Sequence, residues 1–321
     1  MARTTGLARP TGAAPDTSAH DASAPDASTH DPSAHDASTP EASTPGADGS
    51  PAAPSVPGLS AAVADAVSRR VGDTLEGVFA AVAATAADTA ALLAAAGYGG
   101  RRPVSADLAA LRPGLHGRLA DADRSAGPAG AELPGLVSGV GFVAAPGLLA
   151  DVPSWLEWWQ RGPDGAVRPL LLDLDPEHSA YSDYTHWDWY ALPRETGRRA
   201  VAGPYVDYLC SDEYGLTLSA PVHVDGAFVG VAAADVYLRH FEAAVLPVLQ
   251  ELPVPARLVN ARGRVAASTD PAHLAGSLVK GPDFAAVLAA SAPVPPAVHR
   301  HGTLHLTPCG GAPLVLVTPR R

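Results

Sequence analysis

Val63, Val67, Val71, Leu75, Val78 and Val82 fall three or four positions apart, a spacing that lays them along one face of a helix. The pattern predicts a long amphipathic helix over Leu59 to Ala96, with Arg69, Arg70, Asp73 and Glu76 on its polar side and Gly97, Gly99 and Gly100 ending it. A shorter helical segment follows in "SADLAALRPGLHGRLADAD", interrupted by Pro113.

After Pro134 the period changes to that of strands. "GLVSGVGFVAA" opens the series, with Gly139 and Gly141 allowing a close backbone approach. "WLEWWQRGPDGAVRPLLLDLD" predicts a hairpin turning at "GPDG". In "YGLTLSAPVHVDGAFVGVAAADV" two runs rich in branched residues meet at Asp225-Gly226, a strong hairpin signal. "HFEAAVLPVLQEL" is a short helix, "ARLVNARGRVAAST" another strand pair, and "GTLHLTPCGGAPLVLVTP" a last pair joined at Gly310-Gly311. Consecutive hairpins flanked by helices imply an α+β fold with a mainly antiparallel sheet.

Composition alters this picture at the N-terminus. Residues 1–58 repeat a five-residue unit, "TSAHD ASAPD ASTHD PSAHD ASTPE ASTPG", which has no large apolar side chain and cannot bury a core. A disordered tail is expected there, and its recurring His20, His30 and His35 form no metal site. The chain's formal charge is -11; seven acids and two arginines put -5 in the tail and leave -6 on the rest. No basic stripe appears, so a nucleic-acid partner is excluded. Cys210 and Cys309 are the only cysteines and read as ordinary half-buried thiols. No secretory leader is visible, and "AAVAATAADTAALLAAA" is broken by Asp88 and threonines. A soluble cytoplasmic protein with no membrane span is therefore expected.

Aromatic residues give the candidate chemistry. Of eighteen, fifteen lie between Phe142 and Phe241, including every tryptophan, and they crowd "THWDWYALPRETGRRAVAGPYVDY". A packed core and a partly polar cavity both fit this clustering, although the scarcity of Phe beside Trp and Tyr suits the cavity. Asp183, Asp188, Asp207 and Asp235 sit within or after the cluster. Asp235 ends the apolar run "FVGVAAAD", where a carboxylate needs hydrogen bonds or a cation. Capping a neighbouring element and binding a ligand ammonium are the two alternative readings of it.

Trp189-Tyr190, then "GPYVDY", then the hairpin ending "GVAAADV" together resemble the ligand-binding module of Cache domains, the PAS-like extracellular sensors of chemoreceptors and histidine kinases. The resemblance covers roughly residues 59–321. It implies a long helix and a ligand-binding PAS-like module over 59–252, then a smaller PAS-like module over 253–321. In amine-recognising members of the double-Cache group, a Trp-Tyr pair, a later Tyr and a strand-terminal Asp surround the ligand. The matching positions are Trp189, Tyr190, Tyr205 and Asp235. Two departures stand out. The arginine expected two residues before that Trp is Trp187, and a tyrosine expected further upstream is Ser182. Without an arginine clamp the site favours an amine over a zwitterion, unless Arg194, Arg198 or Arg199 restores the carboxylate contact. The sensors are held between membrane helices and joined to output regions, whereas this chain shows neither.

Enzyme signatures fail where they are tested. "LLDLDPEHS" opens like a haloacid-dehalogenase-type phosphohydrolase but places Glu177 where a small hydroxyl residue belongs. His178, His186 and His223 show no HExxH or HxH spacing, and no GxSxG or P-loop occurs. His186 reads as a cavity-edge or surface histidine. The expectation is a non-enzymatic sensor of a small cationic amine or amino-acid-like metabolite, needing no cofactor or metal. Trp187, Trp189, Tyr190 and Tyr205 would surround the ligand, with Asp235 and Asp207 pairing to its ammonium. Output would pass to a partner protein, and a homodimer through the long helix is expected. The rivals are an enzyme acting on a small polar metabolite in the same cavity and an interaction scaffold that binds no ligand.

Overall fold

Helix α1 (Ala61–Tyr98) forms where the valine stripe predicts it, in a computed structural model that describes residues 60–98, 100–121, 135–162, 164–179, 181–206, 213–290 and 299–320. Val67, Val71, Leu75, Val78 and Val82 are buried, whereas Val63 stays 42% exposed at the helix start. The repeat tail, Asp207 and Cys210 lie outside the described residues. All described residues belong to one compact unit, Pro54–Arg321.

Neither Asp88 nor the threonines interrupt α1. Thr85 and Thr89 return their hydroxyls to the carbonyls of Ala81 and Thr85, at 2.9 and 2.7 Å, and Asp88 pairs with Arg118. Ala61–Gly97 is thus long and apolar enough to cross a membrane by length and composition. The expectation of no membrane span is corrected accordingly: over residues 80–96 a single charge, paired with Arg118, and hydroxyls satisfied within the helix leave the apolar stretch unbroken.

Pro113 begins a helix and does not interrupt one. Helix α2 (Ser105–Leu108) passes through a 3-10 turn into α3 (Arg112–Asp121), whose second residue is that proline. An N–H missing from the first turn of a helix costs no intrahelical bond.

A six-stranded antiparallel sheet follows. It comprises β1 (Val137–Ala144), β2 (Leu156–Arg161), β3 (Val167–Pro169), β4 (Ala200–Val206), β5 (Tyr214–Val224) and β6 (Ala227–Tyr237), in the order β3-β2-β1-β6-β5-β4. Between β3 and β4 lies helix α4 (Asp188–Thr196), which the sequence pattern does not announce. Helix α5 (Leu238–Leu249) leads to a five-stranded antiparallel sheet of β7 (Arg257–Asn260), β8 (Val265–Ser268), β9 (His299–His301), β10 (Leu304–Pro308) and β11 (Leu314–Pro319), ordered β8-β7-β11-β10-β9, with α6 (Phe284–Ala290) against it. The α+β expectation holds, with two antiparallel sheets after a long helix.

The two-residue period of strands gives the first sheet two different faces. Val140, Phe142, Leu216, Leu218, Ala232, Ala234 and Val236 join the main core with α1, α3 and α5. Val143, Ala202, Val231 and Ala233 turn the other way and pack with Trp158, Tyr184, Trp189 and Tyr190. Covered on both faces, β1 is buried along its whole length. Gly72 lets α1 approach the second sheet, since a Cβ there would stand 2.6 Å from the Cys309 carbonyl oxygen.

Candidate functional site

Asp235 shares the face of Val231 and Ala233, opposite α1, as strand alternation requires. Its cross-strand partners are Gly139 on β1 and Thr217 on β5. Thr217 Oγ1 donates to Asp235 Oδ1 at 2.6 Å. With that proton committed, the Tyr205 hydroxyl donates to Thr217 Oγ1, giving a relay from Tyr205 through Thr217 to the carboxylate.

Gly139 makes the room for this arrangement. A Cβ at that position would lie 3.0 Å from Trp158 Nε1 and 3.3 Å from Asp235 Oδ2. Gly141 serves the strand pairing instead: its Cβ would strike the Glu157 carbonyl oxygen at 2.4 Å. The close approach expected at both glycines is present, and at Gly139 it bears directly on the acidic group.

Asp235, Thr217 and Tyr205 open onto a cavity of about 750 Å³. Trp158, Trp187 and Trp189 supply its indoles, and Leu156, Leu170 and Leu172 supply aliphatic wall. Trp158 Nε1 is buried with no hydrogen-bond partner among the described residues. Asp183, His186 and Asp188 stand on the side formed by the β3–β4 connection. Thr185 donates to Asp183 through its hydroxyl at 2.7 Å and its backbone N–H at 2.9 Å, and these bonds hold the carboxyl below the usual aspartate range. His186 lines the cavity from an exposed position, 3.7 Å from Asp183.

Of the six residues expected at the site, Trp187, Trp189, Tyr205 and Asp235 line the cavity together. Tyr190 does not line it. It is fully buried, packed edge-on to Tyr184 at 5.2 Å and to Phe228 at 5.9 Å, and burial pushes its phenol upward. Asp207 lies outside the described residues. The clustering of aromatics therefore serves both purposes: Tyr184, Tyr190 and Phe228 are packing, while Trp187 and Trp189 are wall.

None of the three arginines suggested as a carboxylate clamp lines the cavity. Arg194 lies over the Tyr190 ring, Arg198 reaches the Ala289 carbonyl, and Arg199 pairs with Glu76 while donating to the Gly311 carbonyl. The arginine in the wall is Arg264, from the turn between β7 and β8. Sequence reasoning missed it together with Trp158 and Thr217. Thr217 is legible from strand alternation once its pairing with Asp235 is known, but nothing local to Arg264 points to a site whose other residues lie between Val143 and Asp235, far upstream of it and in another sheet.

Residues 172–243 match the family described as methyl-accepting chemotaxis protein-like, first PDC sensor domain. The match contains Trp187, Trp189, Tyr205, Thr217 and Asp235. Over these residues the chain is similar to a sensor module of the Cache (PDC) type. Similar solved structures include the ligand-binding domain of the Pseudomonas aeruginosa amino acid chemoreceptor PctC in complex with GABA, at 20% identity and a TM-score of 0.44, covering 79% of this chain and 94% of that one. The ligand-binding domain of the Pseudomonas fluorescens chemoreceptor CtaA in complex with L-valine is similar at 13% identity and 0.47, covering 81% and 94%. The extracellular domain of a putative histidine kinase is similar at 15% and 0.44, covering 79% and 91%. No curated protein matches.

The family match overturns the cytoplasmic expectation. Residues 172–243 match a sensor domain of the methyl-accepting chemotaxis protein type, and this chain has a helix with the length and composition of a span. The charge and hydroxyls on which the cytoplasmic expectation rested are those accommodated within α1.

Proposed function

We propose that the chain is a non-enzymatic sensor module that binds a small cationic amine or amino-acid-like metabolite and passes the binding event to a partner protein. The observation that carries this reading is the Asp235 carboxylate, held by Thr217 in the wall of a cavity otherwise rich in indole and aliphatic surface. In such surroundings an ammonium gains both a charge partner and π faces. Trp187, Trp189 and Tyr205 form the cage around it, and selectivity comes from filling the cage, because desolvating both charges offsets much of their attraction. The ligand-binding module spans 59–252, with a second module over 253–321. Its sensor-family match supports the reading.

The test is thermal shift of the full chain against a panel of amines and amino acids, with Asp235→Asn alongside. Saturable stabilisation by compounds that carry an ammonium group, lost in the variant and without consumption of the compound, is the expected result. Stabilisation only by compounds that lack an ammonium group would refute the reading, as would turnover.

A further inference from the structure

The β7–β8 turn is braced on both sides. Asn260 Oδ1 accepts from the backbone N–H groups of Arg262 and Arg264, each at 3.0 Å, and the Gly263 N–H donates to the Asn260 carbonyl at 3.0 Å. From behind, the Val279 N–H donates to the Gly263 carbonyl at 2.8 Å, and Arg264 Nη1 donates to the Gly276 carbonyl at 2.7 Å. A backbone held in this way fixes where its side chains start, so a bond made from it positions whatever it reaches.

Residues 187–206 lie between this turn and the cavity. Trp187, Asp188 and Trp189 at the start of α4, and Gly203 and Tyr205 on β4, stand in the cavity wall. The same segment is bonded to the second sheet and to α6. The buried Asn260 donates through Nδ2 to the Gly203 carbonyl at 2.9 Å. Arg199 donates to the Gly311 carbonyl at 2.8 Å, and Arg198 to the Ala289 carbonyl at 3.4 Å. These bonds hold β4 and the connection leading into it. At the other end of α4, where the tryptophans are, Arg262 Nε donates to Asp188 Oδ1 at 2.9 Å.

The Arg262 and Asp188 side chains are 48% and 43% exposed, so their pairing adds little to the stability of the fold. Its effect is on position. Trp189 is buried against Tyr184 and Tyr190, whereas Trp187 is half-buried and stands edge-on to Trp189 at 5.8 Å. A tether on Asp188 therefore acts on the less constrained of the two indoles, through the peptide that joins it to Trp187.

We infer that Arg262 is a positioning residue of the cavity: from the second sheet it holds the start of α4 and so sets where Trp187 stands in the wall, without lining the cavity itself. Coupling of this kind is reciprocal, so a compound that displaces Trp187 from within the cavity acts back on the β7–β8 turn. Asp188 and Arg262 then give a binding event a defined route into β7 and β8. Arg262 holds the wall in this way whatever compound fills it, so its role stands or falls separately from the amine reading.

Fluorine NMR of the full chain labelled with 5-fluorotryptophan tests this, with Trp155, Trp158, Trp159, Trp187 and Trp189 assigned by replacing each in turn with phenylalanine. Arg262→Gln is expected to move the Trp187 resonance by more than its linewidth and to raise that ring's solvent isotope shift in D2O, while the melting temperature stays nearly unchanged. Trp155 and Trp159, which pack against the main core, should not respond. Arg262→Lys, which keeps a charge for Asp188, should restore part of the wild-type signal. Asp188→Asn removes the same tie from the other end and should likewise raise the isotope shift at Trp187; it decides the matter should Arg262→Gln fail to fold. An unchanged Trp187 signal overturns the inference. So does an equal response of all five tryptophans, the mark of a general loosening, and so does a lysine variant indistinguishable from the glutamine one.

Discussion

Thr217 and Asp235 face each other across β5 and β6, and the threonine hydroxyl donates to the carboxylate at 2.6 Å. The bond uses one carboxylate oxygen and, through Tyr205, orients an aromatic ring of the cavity wall. Removing the charge and removing its support therefore have separable consequences. Asp235→Asn keeps an oxygen acceptor for Thr217 but loses the charge, and cationic ligand affinity is expected to fall at least tenfold with little change in melting temperature. Thr217→Val leaves the charge but breaks the relay, and a smaller loss of roughly three- to tenfold is expected. Titration calorimetry on both variants checks the order; equal losses would mean that Thr217, and not the charge, sets affinity.

Two glycines one strand period apart on β1 should respond differently to the same methyl group. At Gly141 an added Cβ meets the Glu157 carbonyl oxygen and the Trp158 Cα at 2.4 and 2.7 Å, both backbone atoms that yield only if β1 and β2 separate. Gly141→Ala should destabilise the fold by about 2–3 kcal/mol. At Gly139 the nearest atoms are side-chain atoms of Trp158 and Asp235 at 3.0 and 3.3 Å, so Gly139→Ala should cost about 1 kcal/mol or less while impairing ligand binding. Urea unfolding beside ligand titration separates the two effects.

Glu157 is a buried acid with two neighbours to satisfy it. Its side chain is 4% exposed and accepts from Arg112 Nε and from Trp159 Nε1, each at 2.9 Å. Arg112→Leu leaves the carboxylate with the indole but without its counter-charge. Arg112 is itself 46% exposed, so the cost falls below that of a fully buried pair, at about 2 kcal/mol. Glu157→Gln in the same background should recover part of it, since a neutral amide tolerates burial without a cation. A double-mutant cycle in urea measures the coupling, and additive effects would show that the pair contributes nothing.

Cys309 is fully buried, and burial pushes its thiol up to about 12. In a Cys210→Ser background it should resist an aromatic disulfide reagent at pH 8 until the fold opens, because the thiolate is the attacking species. The folded value lies above the unfolded one, so the contribution to stability is complete below the ordinary thiol range, near pH 9, and is lost as pH rises toward 12. Stability measured from pH 7 to 10.5 in Cys210→Ser and in the Cys210→Ser, Cys309→Ala pair isolates this loss. Rapid labelling of the native protein would contradict the placement of Cys309.

Periodicity by itself determined the long helix, the hairpins turning at "GPDG", Asp225-Gly226 and Gly310-Gly311, and the α+β class, because these elements are written in residues near one another. The order of Trp189, Tyr205 and Asp235 along the chain resembles, separately from any periodicity, that of a sensor module. Helix α4 escaped because its internal Pro193 argues against a helix, at a cost of about 3 kcal/mol. Burial of Trp189, Tyr190, Ala191, Leu192 and Pro193 outweighs that penalty, and burial depends on what the sheet presents to them. Tertiary packing likewise decided that Tyr190 fills space while Trp187 and Trp189 enclose it, since identical ring chemistry serves either role until neighbours are in place. Arg264 was the least legible, for the rest of the cavity wall belongs to a different sheet and its connections, and no periodicity spans that distance. A chain's local pattern sets which face each side chain takes, but whether that face meets another side chain or a hollow is settled only when the distant segments close around it.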